Sequence, residues 1–332
     1  MSFGHASVDR VGRENAHLVF ILCVPKTNRP RPYVLRMEVP PAITVASVGL
    51  DASLEQAVQH MWDLDHNRME PGVDYVVNVQ GGKKPWQKGD EAADPLFQSV
   101  KTLQFRSRPT YKAFVALLDN YIAQTGVEEV LSNAERREIK TFLNAIMNTA
   151  PMQFCHKYCH ANKPDDVPAD RAGFQKLLHR IWFELYRRQR GVRADSSGFE
   201  HVFVGEIKDG KVSGMHNWIQ LYLEEKKGTL DYKGYIKPKS RNDAPTDADD
   251  RILTLQFTWN GVEKSVGSSF IGTSPEFEMA IFTTCFLVGG EENILTLKTE
   301  PAEEFELCIK CFSMARGKIG TSFPEARAHY EG

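Results

Sequence analysis

The apolar residues change their spacing at Gly191, and that change limits the chain to helices first and sheet afterwards. Between Ser53 and Arg190 the helical period dominates. YKAFVALLDNYI (111–122) sets Phe114, Leu117, Leu118, Tyr121 and Ile122 on one stripe, and ERREIKTFLNAIM repeats the spacing. The segment DRAGFQKLLHRIWFELYRRQRG then predicts a helix that closes on basic residues and Gly191. After Gly191 the chain alternates with period two. EHVFVGEI predicts a strand, Asp209-Gly210 a hairpin turn, and LTLQFTW runs into a second hairpin at Asn260-Gly261. Two helices are inserted, one from about Gly214 to Lys227 and one opening at Ser274-Pro275 with Glu276 and Glu278 in its first turn. ILTLKT and EFELCIKCF supply the last strands. The fold class is therefore α+β, a helical N-terminal lobe followed by an antiparallel-sheet lobe with inserted helices.

At 332 residues there is room for two lobes around a shared cleft. The reading gives an N-terminal extension over 1–53, a helical lobe over 54–190 and a β-rich lobe over 191–332. Within the extension, LVFILCV and YVLRMEV read as strands joined by the loop PKTNRPRP; RNDAPTDADD (241–250) reads as an exposed loop. LVFILCV is far shorter than the ~20 residues needed to cross a bilayer. Asp9 and Glu14 before it argue against a signal peptide. Six cysteines in so long a chain do not form a secreted disulfide framework. The expectation is a cytoplasmic or nuclear protein without a membrane or an obligate protein partner.

Formal net charge is −2, yet from Lys176 to Arg241 the chain carries 14 Lys/Arg against 8 Asp/Glu, a local net of +6. Such a field concentrates a polyanion, and a solvated charged face explains the same imbalance about as often. It surrounds GFEHVFVGEIKDGKVSGMHNW (198–218), where His201 and His216 flank a turn. Period two sets Phe199, His201 and Phe203 on one strand face, with Glu200 and Glu206 on the other. His216 falls in the first turn of the helix after the hairpin, where the helix dipole favours a neutral imidazole suited to act as a base. Glutamates beside His201 favour its protonated form, suited to an acid. Past the second hairpin, Lys264 shares a strand face with Val266 and Ser268. A base, an acid and a cation for phosphorane charge are the set needed to cleave RNA through its 2′-hydroxyl.

Two longer blocks, SGFEHVFVGEIKDGKVSGMHNWIQLYLEEKKG and WNGVEKSVGSSFIGTSPEFEMA, resemble the EndoU (XendoU-type) family of uridylate-specific endoribonucleases. MWDLDHNRMEPGVDYVVNVQG, RPTYKAFVALLDNYIAQTGVEE and FLNAIMNTAPMQFCHKY extend the likeness from roughly residue 54 to the end, in family order. The resemblance implies a catalytic set of His201, His216 and Lys264, with Glu200 and Glu206 supporting it. It also implies single-stranded RNA as substrate and stimulation by Mn²⁺, with Ca²⁺ as a second candidate and no ligands assigned. A serine four residues after the lysine recognises uracil in the related coronavirus enzyme; Ser268 has that spacing. The family's Thr-x-Tyr element appears here as Thr321 and Phe323, so the stacking face is kept and the hydroxyl is lost.

Other groupings carry less. CHKYCH (155–160) has two Cys and two His but no second ligand pair at zinc-finger spacing. Cys308 and Cys311 read as strand thiols on opposite faces. Arg187, Arg188, Arg190 and Arg193 read equally as a solvated helix end or as an RNA-tracking patch. The two-histidine phosphoesterases need His-x-Ser/Thr twice, and HVF and HNW do not supply it. The remaining rival, a catalytically weak RNA-binding member of the same family, would require the loss of one of the three catalytic groups, and none is lost.

Overall fold

In a computed structural model, residues 48–191, 193–237, 250–300, 303–314 and 317–331 are described. LVFILCV, YVLRMEV, Cys23 and residues 241–249 lie outside them. The first half runs α1 (Leu54–Asp63), β1 (Tyr75–Val77), β2 (Gly82–Lys83), β3 (Phe97–Val100), α2 (Leu103–Ser107), α3 (Pro109–Val115), α4 (Asn133–Ile146), α5 (Ala150–Asn162) and α6 (Arg171–Trp182). A π-helix over Glu200–Val204 follows. Then come β4 (Glu206–Lys208), β5 (Lys211–Ser213), α7 (Trp218–Lys227), β6 (Leu230–Ile236), β7 (Ile252–Trp259) and β8 (Val262–Phe270). α8 (Pro275–Val288), β9 (Glu292–Glu300), β10 (Glu303–Met314) and β11 (Lys318–Glu331) complete the chain.

Local chemistry sets most boundaries. Ser53 and Ser132 cap α1 and α4 with reciprocal capping boxes to Gln56 and Glu135. Asp209 and Gly210, like Asn260 and Gly261, all take positive φ, as the tight turns of the β4–β5 and β7–β8 hairpins demand. Two expected helices stop early. The 111–122 stripe is helical only to Val115, and α6 ends at Trp182 rather than at Gly191. Leu117, Leu118, Phe183 and Tyr186, beyond the two helix ends, still pack inward, whereas Ile122 is exposed, so the periodicity marked most of the burial but not helix length.

β2-β6-β7-β8 and β9-β10-β11 form the two larger sheets, with β1-β3 and β4-β5 as two-stranded ribbons. All pairs are antiparallel except the two-residue parallel contact of β2 with β6. α8 is buried along most of its length, and Trp182, Phe203, Phe270 and Phe282 meet around it. No helix among the described residues is long and apolar enough to cross a membrane.

Candidate active site

The site begins at Ser197-Gly198-Phe199-Glu200. Ser197 Oγ accepts the Glu200 N–H at 3.1 Å, and the Glu200 carboxylate accepts the Ser197 N–H at 3.2 Å. That reciprocal pair is a capping box, and it starts a helix where alternation predicted a strand. The turn opens into π geometry, with the Gly205 N–H donating to Glu200 O at 2.8 Å. Phe199, Val202 and Phe203 therefore form an i, i+3, i+4 stripe, fully buried against Phe114, Trp182 and Phe183. The expected two-face division of Phe199, His201 and Phe203 from Glu200 and Glu206 does not exist.

His216 also sits elsewhere than expected. Asn217 is the N-cap of α7, its Oδ1 accepting from the N–H groups of Ile219 and Gln220, so His216 precedes the helix rather than occupying its first turn. Asn217 Nδ2 reaches the Glu278 carboxylate on α8 at 3.2 Å, which fixes this corner. Backbone bonds then clamp the two histidine segments together: Met215 N–H to His201 O at 2.9 Å, and His216 N–H to Val202 O at 2.7 Å. Gly214, at φ +69°, permits this approach, because a Cβ there would fall 1.7 Å from His201 O.

Each imidazole has its own Nδ1 partner. His216 Nδ1 lies 2.8 Å from the Ser268 carbonyl, which can only accept, so Nδ1 carries the hydrogen and Nε2 is the lone-pair nitrogen. Burial, helped by the nearby Lys264 charge, holds His216 well below the ordinary histidine range. His201 Nδ1 lies 2.8 Å from Glu206 Oε2, and Arg188 Nε meets the same oxygen at 3.1 Å. Burial also lowers the His201 pKa, with Glu206 pulling the other way. The glutamate makes His201 the better proton holder of the two but does not outweigh burial. Lys264 is buried with no carboxylate partner among the described residues, and burial lowers its pKa to about 8.

β8 holds one residue more than β7 between the pairs Leu255–Gly267 and Phe257–Lys264, a bulge that breaks simple alternation. Lys264 consequently lies over Gly267, where a Cβ would come 2.5 Å from Cε. Even so, Lys264, Val266 and Ser268 all border one cleft of about 340 Å³, together with both histidines, Thr321 and Phe323. Ser268 Oγ is 2.9 Å from Thr254 Oγ1. Phe323 stacks on His216, centroids 4.6 Å apart and planes 15° apart, so one ring face is already taken. Glu325, which sequence reasoning passed over, also borders the cleft.

Glu206 stands directly behind His201, but Glu200 does not border the cleft. Burial and the charge of Glu129 push the Glu200 carboxyl well above its usual range, and burial raises Glu129 to about 7. A proton shared between them accounts for Glu129 Oε2 and Glu200 Oε1, which have no other partner among the described residues. A manganese or calcium ion does not fit at Glu200 and Glu206: one holds a proton, and the other is already taken up by Arg188 and His201. Among the described residues no group of three or more His, Cys, Asp or Glu has metal-holding geometry. The CHKYCH groups diverge on α5, with His156 and His160 bonded to the Pro168 and Val167 carbonyls and Cys155 and Cys159 turned toward Thr284.

Sequence reasoning also misread Arg188. Arg187, Arg190 and Arg193 are exposed, whereas Arg188 is folded in behind the site. It ties Glu206 to Ser196 Oγ (3.0 Å), to the Tyr186 hydroxyl and to Gly320 O (2.6 Å), next to Thr321.

Comparison with known proteins meets this geometry at the level of the whole chain. The family model "Endoribonuclease XendoU" matches residues 53–324. This chain belongs to the XendoU endoribonuclease family. It is 44% identical over 282 residues to the poly(U)-specific endoribonuclease of Xenopus tropicalis, covering 83% of this chain and 94% of that one. To the uridylate-specific endoribonuclease B of Danio rerio it is 40% identical over 279 residues, with 82% and 96% covered. The solved structure of XendoU, "a splicing independent snoRNA processing endoribonuclease", is similar in fold at TM-score 0.71 and 39% identity, covering 86% of this chain and 100% of that one. XendoU family members thus share the α+β architecture found here.

Proposed function

We propose that this chain is an endoribonuclease that cleaves single-stranded RNA at uridylates, leaving a 2′,3′-cyclic phosphate and a 5′-hydroxyl. The observation that carries the reading is the pair of buried imidazoles on one cleft whose Nδ1 atoms are held by chemically different partners, beside a buried lysine. His216 Nε2 takes the proton of the 2′-hydroxyl. The 2′-oxygen bonds to phosphorus, the bond from phosphorus to the 5′-oxygen breaks, and His201 Nε2 gives its proton to that leaving oxygen. Lys264, still mostly protonated at neutral pH, stabilises the charge that builds on the phosphoryl oxygens. The arriving phosphate anion raises the His201 pKa, offsetting the burial that lowers it.

Glu206 and Arg188 are positioning residues in this scheme, and Glu200 acts further back as the cap of the π-helix. Ser268, with Thr321 and Phe323, faces the base. The names of its relatives, poly(U)- and uridylate-specific endoribonucleases, support the uridylate assignment. Mn²⁺ or Ca²⁺ stimulation, implied by the family likeness, has to act away from Glu200 and Glu206. A catalytically weak RNA-binding role would leave unexplained why all three catalytic groups converge.

The test is an RNA oligonucleotide with one uridylate, cut by the protein and examined for its ends. A cyclic phosphate, and no cut when that uridylate is 2′-deoxy, is the expected result. Cleavage that survives the 2′-deoxy substitution refutes the mechanism.

A further inference from the structure

Resting on the RNA-cleaving reading above, we propose that the turn carrying Trp86 is a stacking platform for single-stranded RNA that extends beyond the cleaved phosphate. Trp86 is 74% exposed, although a tryptophan ring is among the costliest surfaces to leave in water. Isolated exposed apolar residues are ordinary. This one is displayed by a braced support. Gln87 N–H donates to Lys84 O at 3.0 Å, closing a turn with Pro85 at its second position and Trp86 at its third. The Gln87 side chain returns to the Lys84 N–H at 2.7 Å.

The ends of the loop are anchored as well. Lys83 Nζ donates to Gly89 O at 2.5 Å, Gly81 N–H to Glu91 O at 3.0 Å, and Lys233 pairs with Asp90 at 2.7 Å. The ring is thus held outward on a turn of low conformational freedom. That is the arrangement in which stacking a base costs least in ordering.

Its neighbours select the ligand. Lys84 Nζ lies 5.4 Å from the ring centroid, and Lys84 and Lys88 are both exposed. Of the acidic groups in the loop, Asp90 pairs with Lys233, which also meets Asp231, and Glu91 sits at the anchored end, its backbone bonded to Gly81. An aromatic face between lysines takes a base on the ring and phosphates on the amines, the chemistry of sequence-tolerant single-strand binding. Exposed Lys237, bonded through its N–H to Lys83 O at 3.2 Å, continues the positive track toward the sheet.

Sheet register puts Gly82, at the foot of the loop that carries Trp86, on one row with the cleft. Gly82 pairs with Tyr235, Tyr235 with Leu255 and Leu255 with Gly267, one row across β2, β6, β7 and β8. Three inter-strand spacings make that row about 14 Å long. It ends at the residue over which Lys264 lies. At roughly 3.4 Å per stacked nucleotide, about four nucleotides bridge it, fewer if the strand is extended.

Binding is read by fluorescence anisotropy with an RNA dodecamer whose single uridylate is 2′-deoxy and therefore uncleavable. Trp86→Ala should weaken its Kd at least about fivefold, and Trp86→Tyr should restore most of the loss. Lys84→Gln with Lys88→Gln should flatten the salt dependence of Kd. In cleavage, Trp86→Ala should lower kcat/KM for the ribo-dodecamer and leave a dinucleotide substrate unaffected. An unchanged dodecamer Kd overturns the platform, as it would if the turn instead docks a protein. So does an equal loss on the dinucleotide, which would place the effect in the cleft. A wild-type protein that binds the dodecamer through Trp86 but cuts no RNA keeps the platform and defeats the catalytic proposal.

Discussion

Gly267→Ala isolates the role of Lys264 without touching any charged group. The added Cβ would lie 2.5 Å from Lys264 Cε and 3.0 Å from Cδ. Carbon atoms rest at about 3.5–4.0 Å, so the end of the lysine has to move by roughly 1 Å. Backbone strain does not confuse the result, since Gly267 is not among the glycines at positive φ. Alanine in a strand interior even recovers about 0.5–1 kcal/mol of chain entropy.

A misplacement of about 1 Å in a catalytic group costs on the order of 10²-fold. Single-turnover cleavage of a one-uridylate oligonucleotide should therefore slow by one to two orders of magnitude. Dodecamer affinity should change little, and the thermal midpoint should stay within a few degrees. The control is the double variant: in a Lys264→Ala background, Gly267→Ala should have no further effect. Full activity in Gly267→Ala, or an added loss in the double variant, would refute the idea that glycine is there to seat the lysine.

Glu206→Gln removes the charge that holds a proton on His201, and kcat should fall by about 10²-fold or more with the alkaline limb of the pH profile, set by His201, displaced to lower pH. For the wild type, His216 has to be neutral and His201 protonated, both from lowered pKa values. The kcat/KM optimum should accordingly lie below the ordinary histidine pKa of about 6.5, with the decline steepening past about pH 8 as Lys264 loses its proton. An optimum well above neutrality would exchange or abolish the acid and base assignments. Ser268→Ala should reduce kcat/KM on uridylate more than on cytidylate, whereas Phe323→Tyr should leave the ratio unchanged or raise it a few-fold; an unaltered ratio in Ser268→Ala defeats the base-pocket assignment. Removing residues 1–47, which precede the family match beginning at residue 53, should leave cleavage intact on the same oligonucleotide.

Where local chemistry decides, the sequence was readable. Asp209-Gly210 and Asn260-Gly261 gave their hairpins, and Ser274-Pro275 opened α8 as expected. The chief error, at 199–204, had a local signal that was overlooked. Ser197-x-x-Glu200 is a capping box, and Phe199, Val202 and Phe203 fit a helical stripe as well as a strand face. Asn217 was likewise a readable N-cap, and with it the start of α7. The β8 bulge and the burial of Arg188 behind Glu206 depend on partners far along the chain, and no local pattern announces them.

What separates the two histidines is the atom opposite Nδ1. A carbonyl at His216 fixes the tautomer, and burial with the nearby Lys264 charge keeps the ring neutral, so it aims a lone pair at the cleft. A carboxylate at His201 opposes the effect of burial and leaves that ring the one closer to holding a proton. Arg188 limits this pull by neutralising part of Glu206, because a freer carboxylate would hold the His201 proton more tightly and slow its release to the leaving oxygen. The same guanidinium grips Gly320 O, while Phe323, three residues on, stacks on the other histidine. Arg188 therefore couples the strength of the acid to the strand that borders both the base and the substrate. A substitution there should shift the His201 pKa and the uridylate preference together, which neither Glu206→Gln nor Phe323→Tyr alone should do.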